Sequence, residues 1–135
     1  MEQVDMSLTT KQTKQIMDAA EAKAQEMGFA ISVCVVDENG LTKGFLKMDG
    51  AWFTTNDIAL GKAKAAVGTK RSNSETADRA GRPVFQYQLI HMGAVFAQGG
   101  EPIMQDGACI GAVGVSGAPG GPQDEEIAQA ALAGI

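Results

Sequence analysis

A glycine-rich stretch near the end of the chain, GAVGVSGAPGG at Gly111–Gly121, is the first candidate for chemistry. Glycines ahead of a helix expose backbone N–H groups, and such groups can hold a phosphate or a carboxylate. The stretch lacks the lysine and serine that end a P-loop, the spacing of a dinucleotide fingerprint and the GxSxG sequence of a hydrolase elbow. Two interpretations stay open, a turn into the last helix and a loop that faces a carboxylate-bearing ligand.

His91 is the only histidine of the chain and lies in the apolar setting QLIHMGAVF. A lone histidine is commonly a hydrogen-bonded core residue, yet this one is also the only imidazole that could ligate a haem iron or shuttle a proton near neutral pH. Met48, in the segment KMDGAW, offers a soft thioether to such an iron, although a methionine that fills a gap in the core is commoner. Asp49 of the same segment fits a turn in which the aspartate carboxylate accepts a hydrogen bond from a nearby backbone N–H group.

The sequence contains no recognised catalytic or metal-binding pattern. There is no HExxH motif, no EF-hand spacing and no cluster of histidine with carboxylates. The acidic run at 124–126 is explained by the positive end of the helix that it begins. A triad of Ser116, His91 and either Asp106 or Asp124 has no local support in the sequence. Whether the protein is an enzyme is therefore left open.

Composition and charge restrict the fold and the partners. The 135 residues, 44% of them hydrophobic, suffice for one core and are too few for two ordinary domains, so we expect a single domain over residues 1–135. A net charge of −5 argues against binding to nucleic acid or to an anionic membrane surface. The basic run Lys62–Arg71 has no stacking aromatic nearby and is interpreted as a solvated helix face.

The two cysteines and the N-terminal residues indicate a compartment. Cys34 and Cys109 lie in separate apolar runs without a CxxC motif, which favours buried, reduced thiols. The first ten residues are acidic and lack the apolar core of a signal peptide, and no stretch approaches the roughly 18 apolar residues that span a bilayer. We therefore expect a cytoplasmic protein.

Hydrophobic periodicity predicts the element order α, β, β, α, β, β, β, α, in which hairpin-connected strands favour an antiparallel sheet covered by helices. A weaker helix is predicted from Ser72 or Ser74 to Ala80. The main elements are a helix at Leu8–Met27, strands at 31–36 and 41–47 around the turn Asn39-Gly40, a helix at Thr54–Thr69, strands at Ala94–Gln98, Ile103–Met104 and Ala108–Val115, and a helix from about Pro122.

Four motifs in this order resemble the GlcG/HbpS-like family, which includes the C-terminal domain of PduO-type cobalamin adenosyltransferases. They are VVDENGLTKGFLKMDGAW, TxxDIAxGKAKAA, GGEPIMQDGACIGAVGVSGA and PQDEEIAQAAL, and together they cover most of the chain. The resemblance implies an α+β, profilin-like fold with a five-stranded antiparallel sheet, and dimers or larger homo-oligomers. It also implies haem binding in some members and a place in glycolate or diol metabolism for others.

The resemblance also implies a set of site residues. These are Asp49 and Gly50 in the MDG turn, Gly99, Gly100 and Pro102 in the GGxP loop, and Ser116, Gly117 and Asp124 around the last loop and helix. The haem-binding relatives use a histidine of the N-terminal helix, and the first helix of this chain has none. His91 is therefore the candidate iron ligand, followed by Met48 and Met92.

The resulting prediction is a small-molecule binding protein that takes haem or a related tetrapyrrole. The alternative is an enzyme or accessory protein of small hydroxy-acid, oxo-acid or diol catabolism, with the ligand carboxylate on backbone N–H groups of the glycine-rich loop. A third interpretation is a structural oligomerisation partner without a ligand.

Overall fold

A four-stranded antiparallel sheet with helices on both faces forms the frame of this computed structural model, which describes residues 7–77 and 88–135. The strand order is β2-β1-β4-β3. The elements are α1 (Thr10–Met27), β1 (Ser32–Asp37), β2 (Thr42–Lys47), α2 (Thr54–Thr69), α3 (Asn73–Ala77), β3 (Gly100–Gln105), β4 (Ala108–Ser116) and α4 (Gly121–Leu132). None of the described helices is both long and apolar enough to span a bilayer.

Strand β1 lies in the interior of the sheet and is buried on both faces. Its residues alternate, so that Val33 and Val35 pack in the core beneath α1 and α4, whereas Cys34 and Val36 pack beneath α2. The predicted hairpin between β1 and β2 is confirmed, with Gly40 in the left-handed region at φ +79°. The α+β class and the antiparallel sheet flanked by helices are likewise confirmed.

The predicted five-stranded sheet is wrong, because the sheet has four strands. The segment Ala94–Gln98 does not join it; the Val95 N–H donates to the carbonyl oxygen of Gly61 in α2 at 2.9 Å. A Cβ atom at Gly61 would lie 2.5 Å from Val95 Cγ2, so the segment packs directly on the helix. The strand predicted at Ile103–Met104 is instead the full-length β3. The profilin-like label stays a prediction.

Helices α1 and α3 correspond to their predictions to different extents. The Thr9 side chain accepts the Gln12 N–H at 3.0 Å and the Gln12 side chain accepts the Thr9 N–H at 3.0 Å, a capping box that begins α1. Gly28, at φ +81°, ends the helix in the left-handed conformation. Helix α3 covers the first part of the weaker predicted helix, and the rest of that prediction, up to Ala80, lies outside the described residues.

Helix α2 approaches the sheet closely because its inner face consists of small residues. Ala59, Ala63 and Ala66 are fully buried and pack against the sheet. Gly114 of β4 lies under this helix, where any Cβ atom would overlap the Ala59 carbonyl oxygen. These small residues therefore set the distance from the helix to the sheet.

The buried Cys34 thiol makes stability fall at alkaline pH. Burial raises its pKa from the ordinary 9.0 to about 11, against a lesser opposing effect of its hydrogen bond with Thr42. The unfolded chain therefore loses this proton first, and the free energy of unfolding should fall by about 2 kcal/mol as the pH rises from about 9 to about 11. Urea denaturation across that range should show a smaller fall in Cys34→Ala. Cys109→Ala keeps the buried thiol and should retain the wild-type fall; equal pH dependence in all three proteins would contradict the assignment.

Candidate functional site

A buried ion pair joins α2 to the first turn of α4. Lys62 Nζ lies 3.0 Å from Asp124 Oδ2, and the two residues are 4% and 5% exposed. The same ammonium group donates to the Val115 carbonyl oxygen at 2.9 Å, and Asp124 Oδ1 accepts the Ala118 N–H at 3.0 Å. Placing Lys62 on a solvated helix face was wrong, because its charge is held inside the protein by these partners.

Burial raises the pKa of the Asp124 carboxyl, and the Lys62 charge and the Ala118 N–H oppose that rise. A buried carboxylate is costly unless cations and donors surround it, and here both are supplied by other segments of the chain. The pair therefore fixes α2, the end of β4 and the glycine-rich loop relative to one another. The helix-dipole interpretation of Asp124 accounts for only part of its surroundings.

Asp124, one of the site residues implied by the resemblance, is a member of this ion pair, and two others, Gly99 and Gly100, pack against it. Ser116 and Gly117 lie in the chain between Val115 and Ala118, whose backbone groups bind the pair. At Gly99, a Cβ atom would lie 2.6 Å from the Val115 carbonyl oxygen and 2.9 Å from Asp124 Cβ. At Gly100, it would overlap the Asn73 side chain and the Lys62 carbonyl oxygen. These two glycines permit close packing, and the space beside them is already filled by the protein.

The MDG turn meets the glycine-rich loop at Ala30. Gly117, at φ +130°, would place a Cβ atom 2.8 Å from the Ala30 carbonyl oxygen. At Gly50, with φ +87°, a Cβ atom would lie 3.7 Å from the Ala30 side chain. Asp49 and Gly50 are exposed, whereas Met48 packs against the core beneath α1 and α4. This end of the sheet thus collects most of the implied residues, while Pro102 lies within β3 opposite Ala112.

The Asp124 carboxylate already accepts a hydrogen bond from one backbone N–H of the glycine-rich loop. The Ala118 N–H, one of the donors to which a ligand carboxylate could bind, is donated to Asp124 instead. Gly120 begins α4 without a side-chain cap, and Asp124 in the first turn also supplies the negative charge favoured there. The geometry supports the turn interpretation of this loop, and the ligand-facing interpretation stays a prediction.

Two buried polar residues near the pair were missed by sequence reasoning. Asn73 is fully buried and its Nδ2 donates to the carbonyl oxygens of Lys62, Val95 and Ala97 at 3.0 to 3.3 Å. Glu101, 7% exposed, accepts hydrogen bonds from Ser72 at 3.0 Å and from the Gln129 side chain at 3.4 Å. Burial raises the pKa of the Glu101 carboxyl. Asn73 and Glu101 each form hydrogen bonds with residues far away in the sequence. Local sequence patterns do not reveal such contacts.

A groove of about 290 Å³ lies along the C-terminal part of α2, between the β1–β2 turn and the corner that follows the helical turn at 88–91. Apolar side chains form most of its wall. We call it the hairpin groove and define it by Leu41, Lys64, Val67, Leu89, Met92 and Ala94, together with Glu38 and neighbouring residues of the β1–β2 turn. Its size is near the lower limit of ordinary ligand pockets, about 300 Å³.

His91 lies beside the hairpin groove and not in the core. Its side chain is exposed, and it directly precedes Met92, which lines the groove and is 69% exposed. Lys64 Nζ donates to the Met92 carbonyl oxygen at 3.3 Å and so connects this corner to α2. The structure therefore separates the implied site residues into a glycine group around the ion pair and the pair His91 and Met92 beside the groove. No cluster of three or more metal-ligating side chains occurs in the described ranges 7–77 and 88–135.

The family model described as "Haem degrading protein HbpS-like" matches residues 8–133. The chain belongs to the HbpS-like family. The resemblance drawn from the four sequence motifs is thereby confirmed. The oligomers that it implies stay a prediction, since the geometry described here is that of a single chain.

Three relatives illustrate how this HbpS-like chain compares with known proteins. An uncharacterised 15.0 kDa protein in the dhaT-dhaS intergenic region of Citrobacter freundii is 36% identical over 93% of this chain and 90% of its own. The crystal structure of a double mutant of Streptomyces reticuli HbpS has a TM-score of 0.86 and 34% identity, covering 99% of this chain and 90% of that one. A crystal structure of a PduOC:haem complex has a TM-score of 0.87 and 29% identity over 96% of each chain.

Proposed function

We propose that this protein binds haem or a closely related tetrapyrrole in the hairpin groove. The observation that carries the proposal is an apolar groove lined by Met92, the residue that directly follows the chain's only histidine, the exposed His91. Membership of the HbpS-like family and the likeness to a relative solved in complex with haem support the class of ligand. The location in the groove rests on the residues of this chain, because the histidine that haem-binding relatives use on the first helix is absent here.

The residues of the hairpin groove fit such a ligand by their chemistry. Apolar walls suit the hydrophobic face of a macrocycle, and imidazole and thioether groups are both ligands of haem iron. His91 and Met92 would hold the iron, and Leu41, Val67 and Leu89 would cover part of the ring. Met48 lies in the core beneath α1 and α4, away from this groove, so it is not part of the proposed site. A bound haem would supply a redox-active iron, which the chain would bind and orient.

The groove volume of about 290 Å³ has a consequence for how a tetrapyrrole is held. A ligand larger than the groove must extend beyond its mouth, so part of the ring would lie at the surface. Leu41 and Met92, 64% and 69% exposed, would lose solvent contact when that ring is bound. Burial of such apolar surface favours binding by about 25 cal/mol per Å².

A hemin titration tests the proposal. Wild-type protein should give a saturable Soret shift, and His91→Ala should weaken binding by about ten-fold, or about 1.4 kcal/mol, because the iron loses a ligand. Met92→Leu keeps the groove wall and removes the thioether, so it separates the two candidate ligands. The matched control is Met104→Leu, since Met104 is 51% exposed and does not line the hairpin groove.

The outcomes decide between this proposal and its rivals. Featureless, non-saturating absorbance in the wild-type protein would rule out a haem site. Unchanged spectra and affinity in both His91→Ala and Met92→Leu would exclude the assigned ligands. Thermal-shift screening of small hydroxy- and oxo-acids in parallel tests the carboxylate alternative, because a ligand that binds the native state raises the melting temperature.

A further inference from the structure

We propose that Lys64 binds a carboxylate of the ligand, so that the hairpin groove selects tetrapyrroles with a free acidic side chain over their neutral esters. This inference rests on the proposed haem site and names the feature of the ligand that the site recognises. Tetrapyrroles of the haem class combine an apolar ring with acidic side chains, and the groove combines apolar walls with one ammonium group at Lys64.

The Lys64 charge has no acidic partner among the residues that the structure describes. No carboxylate oxygen of the described residues lies within 4.0 Å of Lys64 Nζ, although Glu38 also lines the groove. Lys62, two residues earlier on the same helix, is by contrast paired with Asp124 at 3.0 Å. A partly exposed ammonium group without an acidic partner gains a modest attraction from a carboxylate that arrives with a ligand.

The position of the ammonium group leaves it open to such a ligand. Lys64 Nζ donates to the Met92 carbonyl oxygen at 3.3 Å, which is a long hydrogen bond between exposed groups. A charge-assisted bond to a carboxylate is shorter and stronger, so the exchange is favourable. Gly93 adjoins Nζ, and a Cβ atom there would lie 3.3 Å from it. The missing side chain at Gly93 therefore keeps the ammonium group uncovered.

Competitive comparison of two ligands tests this inference. Hemin and hemin dimethyl ester carry the same iron and ring, and they differ in the charge of the two side chains. Wild-type protein should bind hemin about five-fold more tightly than the ester, a typical effect for a partly exposed ion pair. Lys64→Gln should equalise the two affinities, whereas Lys64→Arg should preserve the preference. The control is Lys47→Gln, which removes the same charge from an exposed residue that does not line the groove.

The results separate this inference from the proposal beneath it. Equal wild-type affinities for hemin and its ester, or a preference that persists in Lys64→Gln, would overturn the role of Lys64 and leave the haem site intact. Failure of both ligands to saturate the wild-type protein would overturn the haem site and the inference together. A loss of preference in Lys47→Gln as large as in Lys64→Gln would show that general surface charge causes it. The preference should also shrink as salt is added, since salt screens partly exposed charges.

Discussion

Lys62→Met should lower the free energy of unfolding by about 3 to 5 kcal/mol, because removing one member of a buried ion pair leaves the other charge without a partner. Among the residues that the structure describes, the Asp124 carboxylate would keep one hydrogen-bond donor, the Ala118 N–H. Methionine matches lysine in length, so the loss comes from charge more than from volume. For a small domain this is a large share of the total stability, about 5 to 15 kcal/mol. Urea denaturation followed by circular dichroism measures it.

The pH dependence of Lys62→Met identifies the cause of the loss. Burial raises the pKa of Asp124, and removal of Lys62 removes an opposing charge and raises that pKa further. An acid whose pKa is higher in the folded state binds its proton there more readily, so it stabilises the fold as the pH falls. The deficit should therefore shrink as the pH falls from neutral into the acid range, because a neutral carboxylic acid needs no cation.

Two further variants complete this test. Lys62→Met combined with Asp124→Asn removes both charges and keeps an oxygen that can accept the Ala118 N–H, so much of the lost stability should return. Lys64→Met, on the same helix but partly exposed, should change stability by less than about 1 kcal/mol. A deficit in Lys62→Met as small as that of Lys64→Met would show that the pair does not hold α2 to α4.

Local patterns were sufficient for the elements whose signals lie within one segment. Helix α1 has a periodic apolar stripe and caps at both ends, and the hairpin has a run of β-branched residues and an Asn-Gly turn. The segment Ala94–Gln98 has a similar apolar composition, but its partner is α2 and not a strand. Composition shows that a segment is apolar, whereas the element that covers it is set by tertiary packing.

The ion pair between Lys62 and Asp124 could not be predicted from local sequence patterns for a similar reason. Lys62 and Asp124 are 62 positions apart, and only the fold brings them together. No local signal marks Lys62 as buried, because Lys64 also lies between small residues of α2 and is partly exposed. The hairpin groove was likewise not predictable from local patterns, since three segments distant in the chain form it together.

For Gly99 and Gly100, the family resemblance implies a role in the site, and the structure gives a packing reason for a glycine at each position. The resemblance marks Gly99 and Gly100 as site residues, and the contacts show why those positions exclude a side chain. Close packing alone accounts for both glycines, so neither requires a ligand. Met92, by contrast, lines an open groove, and His91 next to it in the sequence is exposed.

The close approach of α2 to the sheet makes Gly114→Ala the most disruptive small change that we predict. A Cβ atom at Gly114 would overlap the Ala59 carbonyl oxygen and lie 2.7 Å from the Ala63 backbone nitrogen. Both neighbours are backbone atoms, so no rotation of a side chain relieves the clash and the helix itself must move. We expect a loss of about 3 kcal/mol or more in the free energy of unfolding, by the same urea assay.

Gly134→Ala is the matched control, because it adds the same methyl group where nothing lies within 4 Å. It should stay within about 0.5 kcal/mol of wild type. Because α2 also carries Lys64 and Val67 into the hairpin groove, a folded Gly114→Ala protein should bind hemin more weakly as well. Wild-type stability in Gly114→Ala would mean that α2 can move away from the sheet at little cost, and the groove would then lack a rigid wall.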